Sequence, residues 1–196
     1  AKGDFSMNAD NLHIWPRGQF MLIALPNLDK TFTCTLFFPF EGEYSFKSLD
    51  TKEKVMSFFK KMFADAVPLM PTLEQDYLNN PSSSLATIRC YPWHFQDKLL
   101  LVGDAAHGIV PFFGQGMNCG FEDCVVLDKL MKQFGSDWIR IFSLFSEVRK
   151  PDGDAIAHLA IENYIEMRDK VADSKFLLQK KIEAHFSEKH PDKWTP

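Results

Sequence analysis

Apolar residues follow two different rhythms along the chain. Near the start, runs from Leu12 to Trp15, Gln19 to Leu25 and Thr31 to Phe38 are rich in Ile, Leu, Thr and Phe, and Arg17-Gly18 and Pro26 to Lys30 separate them. Short runs bounded by Pro, Gly, Asn and Asp predict strands. Connections this short predict an antiparallel meander. In the third run a period of two puts Phe32, Cys34, Leu36 and Phe38 on one face, with Thr31, Thr33, Thr35 and Phe37 on the other. The phenylalanine face predicts a covering helix layer or the wall of a pocket, to which Phe32 and Phe38 would contribute.

The period then lengthens. Thr51 is placed to cap a helix from Lys52 to Met62, with Val55, Phe58, Phe59 and Met62 on one stripe. A short helix is expected over Met70 to Leu78, after which Pro81 and three serines interrupt the pattern. Ala86 to Cys90 reads as extended and Pro92 to Lys98 as a turn region in which Trp93, His94 and Phe95 serve packing. Leu99 to Val102 is wholly apolar and ends in Gly103-Asp104; a glycine-containing segment leads into a helix from Gly116 to Phe134. Amphipathic helices follow over Asp137 to Lys150, Asp154 to Lys170 and Ser174 to His185, with Pro151-Asp152-Gly153 as a linker. No internal repeat or low-complexity tract is present.

Composition narrows the classes. The 196 residues include 19 Phe against four Tyr and four Trp, which demands a large core, an apolar pocket or a partner surface. Lys and Arg number 22 against 26 Asp and Glu, and no basic stretch is interleaved with aromatics, so nucleic acid is not an expected partner. Cys34, Cys90, Cys119 and Cys124 form neither a CxxC pair nor a zinc-like cluster with histidines; Cys119 and Cys124, which could share a helix neighbourhood, read as free buried thiols, and the cysteine usage fits a reducing compartment. Ala1 to Asn11 lacks the apolar core of a signal peptide, and no apolar run reaches membrane-spanning length, so the segment is expected to be soluble.

The chemistry concentrates in LLLVGDAAHGIVPFFGQGMNCGFEDC, Leu99 to Cys124. A buried strand over Leu99 to Val102 would carry Gly103 and Asp104 to its C-terminal edge, where open α/β sheets place ligands. Gly103 permits close approach to the backbone. Asp104 can accept two hydroxyl hydrogen bonds from a sugar or polyol, or can cap the turn into Ala105-Ala106. Gly114-Gln115-Gly116 allows a tight turn immediately before an apolar helix. That helix N-terminus attracts a phosphate, a carboxylate or an electron-rich heterocyclic carbonyl, with the uncovered N–H groups of Met117 and Asn118 in its first turn. The bland alternative is a glycine-rich loop that only turns. His107 reads as a core hydrogen-bonding residue, and neither a protein nucleophile nor a metal is called for.

The run GD-x(6)-P-x(2)-GQG-x-N resembles the second FAD motif of the FAD-dependent aromatic hydroxylases, a family of flavoprotein monooxygenases. The resemblance implies that Asp104, after Gly103, binds the ribityl chain of FAD, and that Pro111, Gly114, Gly116, Met117 and Asn118 line the isoalloxazine ring. HIWPRGQFMLIALPN (His13 to Asn27), FTCTLF (Phe32 to Phe37), VPFFGQGMNCGFEDC and NYIEMR (Asn163 to Arg168) resemble the members that hydroxylate L-kynurenine. The resemblance covers nearly the whole chain. It implies substrate contacts from Phe112, Phe113 and Gln115 beside the flavin, and from Asn163 and Met167, whose four-residue spacing would share one helix face. It further implies NADPH as reductant, L-kynurenine and O2 as substrates, and 3-hydroxykynurenine as product.

The family's first FAD motif, GxGxxG, is not in this sequence, and Asp152-Gly153 has the wrong context for its middle DG motif. The expected fold class is therefore α/β, an incomplete FAD-binding monooxygenase fold: part of an antiparallel substrate-domain sheet over 1–98, the C-terminal part of an FAD-binding domain over 99–134, and a helical C-terminal region over 135–196. On this reading the chain is a C-terminal half, inactive alone, whose partner is a missing N-terminal half. A membrane anchor is expected only beyond this C-terminus, holding the full-length protein on the cytosolic face of the mitochondrial outer membrane. The alternatives are a hydroxylase of another small aromatic and a Phe-rich protein-interaction module.

Overall fold

The computed structural model describes residues 3–193 and divides them into two compact units, residues 3–82 with 166–193, and residues 83–165. Its architecture is mixed α/β, with antiparallel sheet and a helical C-terminal region, as expected.

In the first unit β1 (His13–Pro16), β2 (Met21–Pro26) and β3 (Phe32–Phe37) form an antiparallel meander in the order β1-β2-β3. The register pairs His13 with Ala24 and Met21 with Phe37. Helix α1 (Lys52–Met62) begins where Thr51 Oγ1 accepts the Lys54 N–H at 3.3 Å, and Lys60 and Lys61 fall in its last turn, where cations are favoured. Its buried stripe is Val55, Phe58 and Phe59, which joins Phe20 and Leu22 of the sheet side, Leu49, Phe63, Ala66, and Leu73 of α2 (Leu73–Asn79) in one core. Phe38 packs at the edge of this core, 5.2 Å from Phe20 and 5.0 Å from Phe58 between ring centroids. Leu36 and Phe38 of the third run thus pack into the helix-covered core, while on the same face Cys34 is exposed and Phe32 packs on Phe5 and His13. Each fully buried Phe is worth roughly 1.5–3 kcal/mol over an exposed one, and four of the 19, Phe20, Phe58, Phe59 and Phe63, are buried in this core. A π-helical segment (Glu166–Lys170) and α6 (Ser174–Lys189) complete the unit; Asp173 caps α6 by accepting the Phe176 N–H at 2.9 Å.

In the second unit β4 (His94–Phe95) and β5 (Leu99–Leu100) make a two-residue antiparallel pair. The expected buried strand is therefore short and half exposed: Leu99 is open to solvent, while Leu101 and Val102 continue without strand pairing and pack on Trp93, Ala106 and Phe145. Three helices follow, α3 (Asp104–His107), α4 (Gly116–Phe134) and α5 (Trp138–Ile165). The linker expected at Pro151-Asp152-Gly153 is absent: α5 runs straight through it. Pro151 lacks the N–H that would bond to Glu147, but the flanking turn is held by an Arg149–Asp152 ion pair at 2.8 Å and a Lys150–Asp154 pair. Gly153 lets this turn sit close to its neighbours, since a Cβ there would lie 3.2 Å from the His107 Cβ and from the Trp93 ring. The same helix ends earlier than expected, at Ile165, where π-helical backbone takes over.

Candidate functional site

Gly103 and Asp104 form a sharp corner into α3. Gly103 has φ +62°, a conformation that side-chain-bearing residues rarely adopt, and nothing lies within 4 Å of where its Cβ would be. Asp104 is the first residue of α3 and is exposed; its carboxylate has no hydrogen-bond partner among the described residues. A short 3-10 turn, Pro111–Phe113, then leads into Gly114, which is left-handed at φ +66°. That reversal delivers the chain to the start of α4 at Gly116. No side chain caps this helix, and its first intrahelical bond to the loop is Cys119 N–H to Gln115 O at 2.9 Å, so the N–H groups of Gly116, Met117 and Asn118 have no intrahelical partner. The Gln115 Oε1 accepts from Asn118 Nδ2 at 2.9 Å, and Phe113 and Met117 are exposed.

Two contacts bring these pieces together. A Cβ on Gly120 would lie 3.8 Å from the Gly103 Cα, so α4 passes directly behind the corner. The Gly103 N–H also donates to Asp123 Oδ2, one turn further along α4, at 2.9 Å. The glycine corner that precedes the unpartnered Asp104 carboxylate therefore packs on a nineteen-residue helix at Gly120, four residues beyond its uncapped start at Gly116. This donor and acceptor set fits a polyol with an electron-rich ring. Asp104 would hold the hydroxyls, and the Gly116–Asn118 amides would hold the ring carbonyl side.

On the aromatic side, Phe112 stacks on Tyr164 with centroids 4.2 Å apart and planes 28° apart, and Asn163 Nδ2 donates to Phe112 O at 2.5 Å. Asn163 thus grips the loop that carries Phe112. Met167 falls in the π-helical segment of the first unit, so the α-helical spacing that linked it to Asn163 does not extend over it.

Sequence reasoning missed the buried ionic network behind the corner. Asp123, with no exposed surface, accepts from Gly103 N–H, from His107 Nε2 at 2.6 Å and, through Oδ1, from Arg149 Nε at 2.8 Å. Arg149, 1% exposed, also donates to Asp152 at 2.8 Å and to the Cys119 carbonyl at 3.3 Å, and pairs with Glu122 at 2.9 Å. Burial pushes the Asp123 carboxyl up, but the hydrogen bonds from His107, Arg149 and Gly103 outweigh it and hold the group below the usual carboxylate range. The Asp123 hydrogen bond raises His107 above an ordinary histidine against its burial and the Arg149 charge. Cys119 lies 3.7 Å from His107 Nδ1, and burial raises its thiol. The ligand atoms of His107, Cys119 and Asp123 lie within 4.8 Å of one another, but the Arg149 guanidinium occupies the cationic position beside Asp123. The four cysteines are free; Cys119 is buried as expected, whereas Cys124 is exposed, against the expectation of a buried thiol. No described helix is long and apolar enough to cross a membrane.

The FAD binding domain family matches residues 64–136, the segment that holds the corner, the loop and most of α4. This match overturns the reading of the chain as a C-terminal half whose partner is a missing N-terminal half, because the FAD binding domain model itself falls within the chain and begins upstream of the 99–134 segment expected to bind flavin. Among curated relatives, the chain is 56% identical over 194 residues to the kynurenine 3-monooxygenase of Flavobacterium psychrophilum, covering 99% of this chain and 43% of the relative. It is 54% identical over 194 residues to the enzyme of that name from Christiangramia forsetii, covering 99% and 43%. With the Dictyostelium discoideum kynurenine 3-monooxygenase it shares 52% identity over 202 residues, covering 97% and 44%. The chain thus spans less than half the length of these relatives.

Proposed function

We propose that this chain carries the flavin-ring and ribityl site of an NADPH- and FAD-dependent monooxygenase that converts L-kynurenine and O2 to 3-hydroxykynurenine. The observation that carries this reading is the open Asp104 carboxylate at a glycine corner packed on α4 close to its uncapped start, inside the segment matched by the FAD binding domain family. The relatives' shared name supplies the substrate.

In this reading Asp104 accepts hydrogen bonds from the ribityl hydroxyls. Gly103 and Gly114 provide the two backbone reversals, and Pro111 sets the short turn between them. The amides of Gly116, Met117 and Asn118 donate to the pyrimidine side of the ring. When bound, FAD would supply the redox chemistry of a monooxygenase with NADPH as the reductant. Phe112 and Phe113 exclude water and hold the substrate ring, Gln115 adds a polar contact, and Asn163 completes the substrate side of this unit; a substrate contact from Met167 rests on the family resemblance alone. The functional partition follows the same lines: 1–98 and 135–196 serve the substrate, and 99–134 serves the flavin. For the whole protein, attachment to the cytosolic face of the mitochondrial outer membrane is part of the proposal, to be tested by cell fractionation.

The test is made on the full-length protein. FAD titration should give a yellow complex whose NADPH oxidation is stimulated by kynurenine and yields 3-hydroxykynurenine, with salicylate and hydroxybenzoate as competing substrates. A protein that binds no flavin, or that hydroxylates salicylate or hydroxybenzoate in preference to kynurenine, overturns it.

A further inference from the structure

We infer that Asp123, clamped by Arg149 and His107, is a positioning residue that holds the Gly103–Asp104 corner in its cofactor-binding shape; the inference rests on the flavin site proposed above. Asp123 touches no proposed ligand group. It lies on the buried side of α4, and its Oδ2 accepts the backbone N–H of Gly103, the residue whose left-handed φ aims Asp104 outward. That N–H belongs to a corner with no strand pairing of its own, so among the described residues the carboxylate is its anchor.

The remaining capacity of the carboxylate is filled with directional donors. His107 Nε2 reaches Oδ2 and Arg149 Nε reaches Oδ1, at 2.6 and 2.8 Å. His107 ends α3, the helix that Asp104 begins, so one carboxylate grips both ends of the four-residue helix. Arg149 comes from α5 and ties α4 to it through Asp123, Glu122 and the Cys119 carbonyl. Close packing leaves little room for another arrangement: Gly120 lies against Gly103, and Gly153 against His107 and Trp93. A buried charge pair is a weak source of stability compared with apolar packing, but it specifies one geometry. Here the geometry it specifies is the corner that presents Asp104.

The experiment compares FAD dissociation constants of the full-length protein carrying Asp123→Asn, Asp104→Ala and both together, with hydrogen–deuterium exchange of the 101–108 segment. Asn keeps the size but turns one acceptor into a donor, which must face Gly103 and His107 or Arg149. The expected result for Asp123→Asn is FAD affinity weakened about tenfold, or about 1.4 kcal/mol, and loss of exchange protection in 101–108 but not in α1. At saturating FAD, kcat should stay within about twofold, because the substrate groups are untouched. Because Asp123 acts through Asp104, the double variant should bind FAD no more weakly than Asp104→Ala alone. Unchanged affinity in folded Asp123→Asn, or additive losses in the double variant, overturns the positioning role. Unchanged affinity in Asp104→Ala overturns the flavin site itself, and the positioning role with it. Should Asp123→Asn fail to fold, Arg149→Lys, which keeps the charge but loses the fork, is measured in the same way. It should weaken FAD at least threefold, and wild-type affinity there overturns the inference.

Discussion

Arg149→Met tests the electrostatics of the second unit most directly. The substitution keeps much of the side-chain length and removes the cation. It leaves Asp123 with no exposed surface and two of its three donors, Gly103 N–H and His107. Truncating one partner of a buried pair costs about 3–5 kcal/mol, because an uncompensated charge stays behind. His107 can offset part of this cost. Its pKa is raised by the Asp123 hydrogen bond and held back by the Arg149 charge, so removing Arg149 lets it rise further and the ring take up a proton beside Asp123. A histidine whose folded pKa is raised contributes stability that is complete below its unfolded value of about 6.5 and is lost as pH climbs through the folded value. The cost of Arg149→Met should therefore sit near the low end of the range at about pH 6 and near the high end at about pH 9. Urea unfolding of the full-length protein, followed by tryptophan fluorescence, reads it; the Trp93 ring lies 5.2 Å from His107. A cost below about 1 kcal/mol at both pH values, or a larger cost at the lower pH, would show that Asp123 is not the buried anion the network requires.

Other perturbations test separate parts. Gly153→Ala brings a Cβ to 3.2 Å from His107 and from Trp93, and should destabilise by about 1–3 kcal/mol in the same unfolding assay. Tyr77 has a buried hydroxyl without a hydrogen-bond partner among the described residues, and burial pushes its pKa up to about 12. Tyr77→Phe should be neutral or stabilising and should remove the stability loss that the wild type shows as pH rises above about 10, measured by alkaline unfolding. Asn163→Ala removes the bond to Phe112 O, and in the full-length enzyme should lower kcat/KM for kynurenine by about 2–10-fold with smaller change in FAD affinity. Equal losses in both would make Asn163 a support of the flavin loop rather than of the substrate site.

What the sequence determined by itself is local. Period-two runs and short turns specified the meander, Thr51 specified the start of α1, and Gly103 and Gly114 marked the reversals before an uncapped helix, because each depends on residues within a few positions. The GD and GQG-MN pattern was legible for the same reason. Tertiary structure decided what distant residues do. Asp123 and Arg149 are 26 positions apart, and nothing in their local pattern says that they meet in a buried network behind Gly103. Pro151 reads as a break, yet α5 continues through it, because packing of Gly153 on Trp93 and His107 and ion pairs on either side outweigh one missing hydrogen bond. The expected Leu99–Val102 strand shrank to two paired residues, since a strand needs a neighbour and apolar composition alone does not provide one. The same holds for the first unit, which joins 166–193 to 3–82: burial is shared between segments far apart in the chain, and only the folded packing reveals which segments share it.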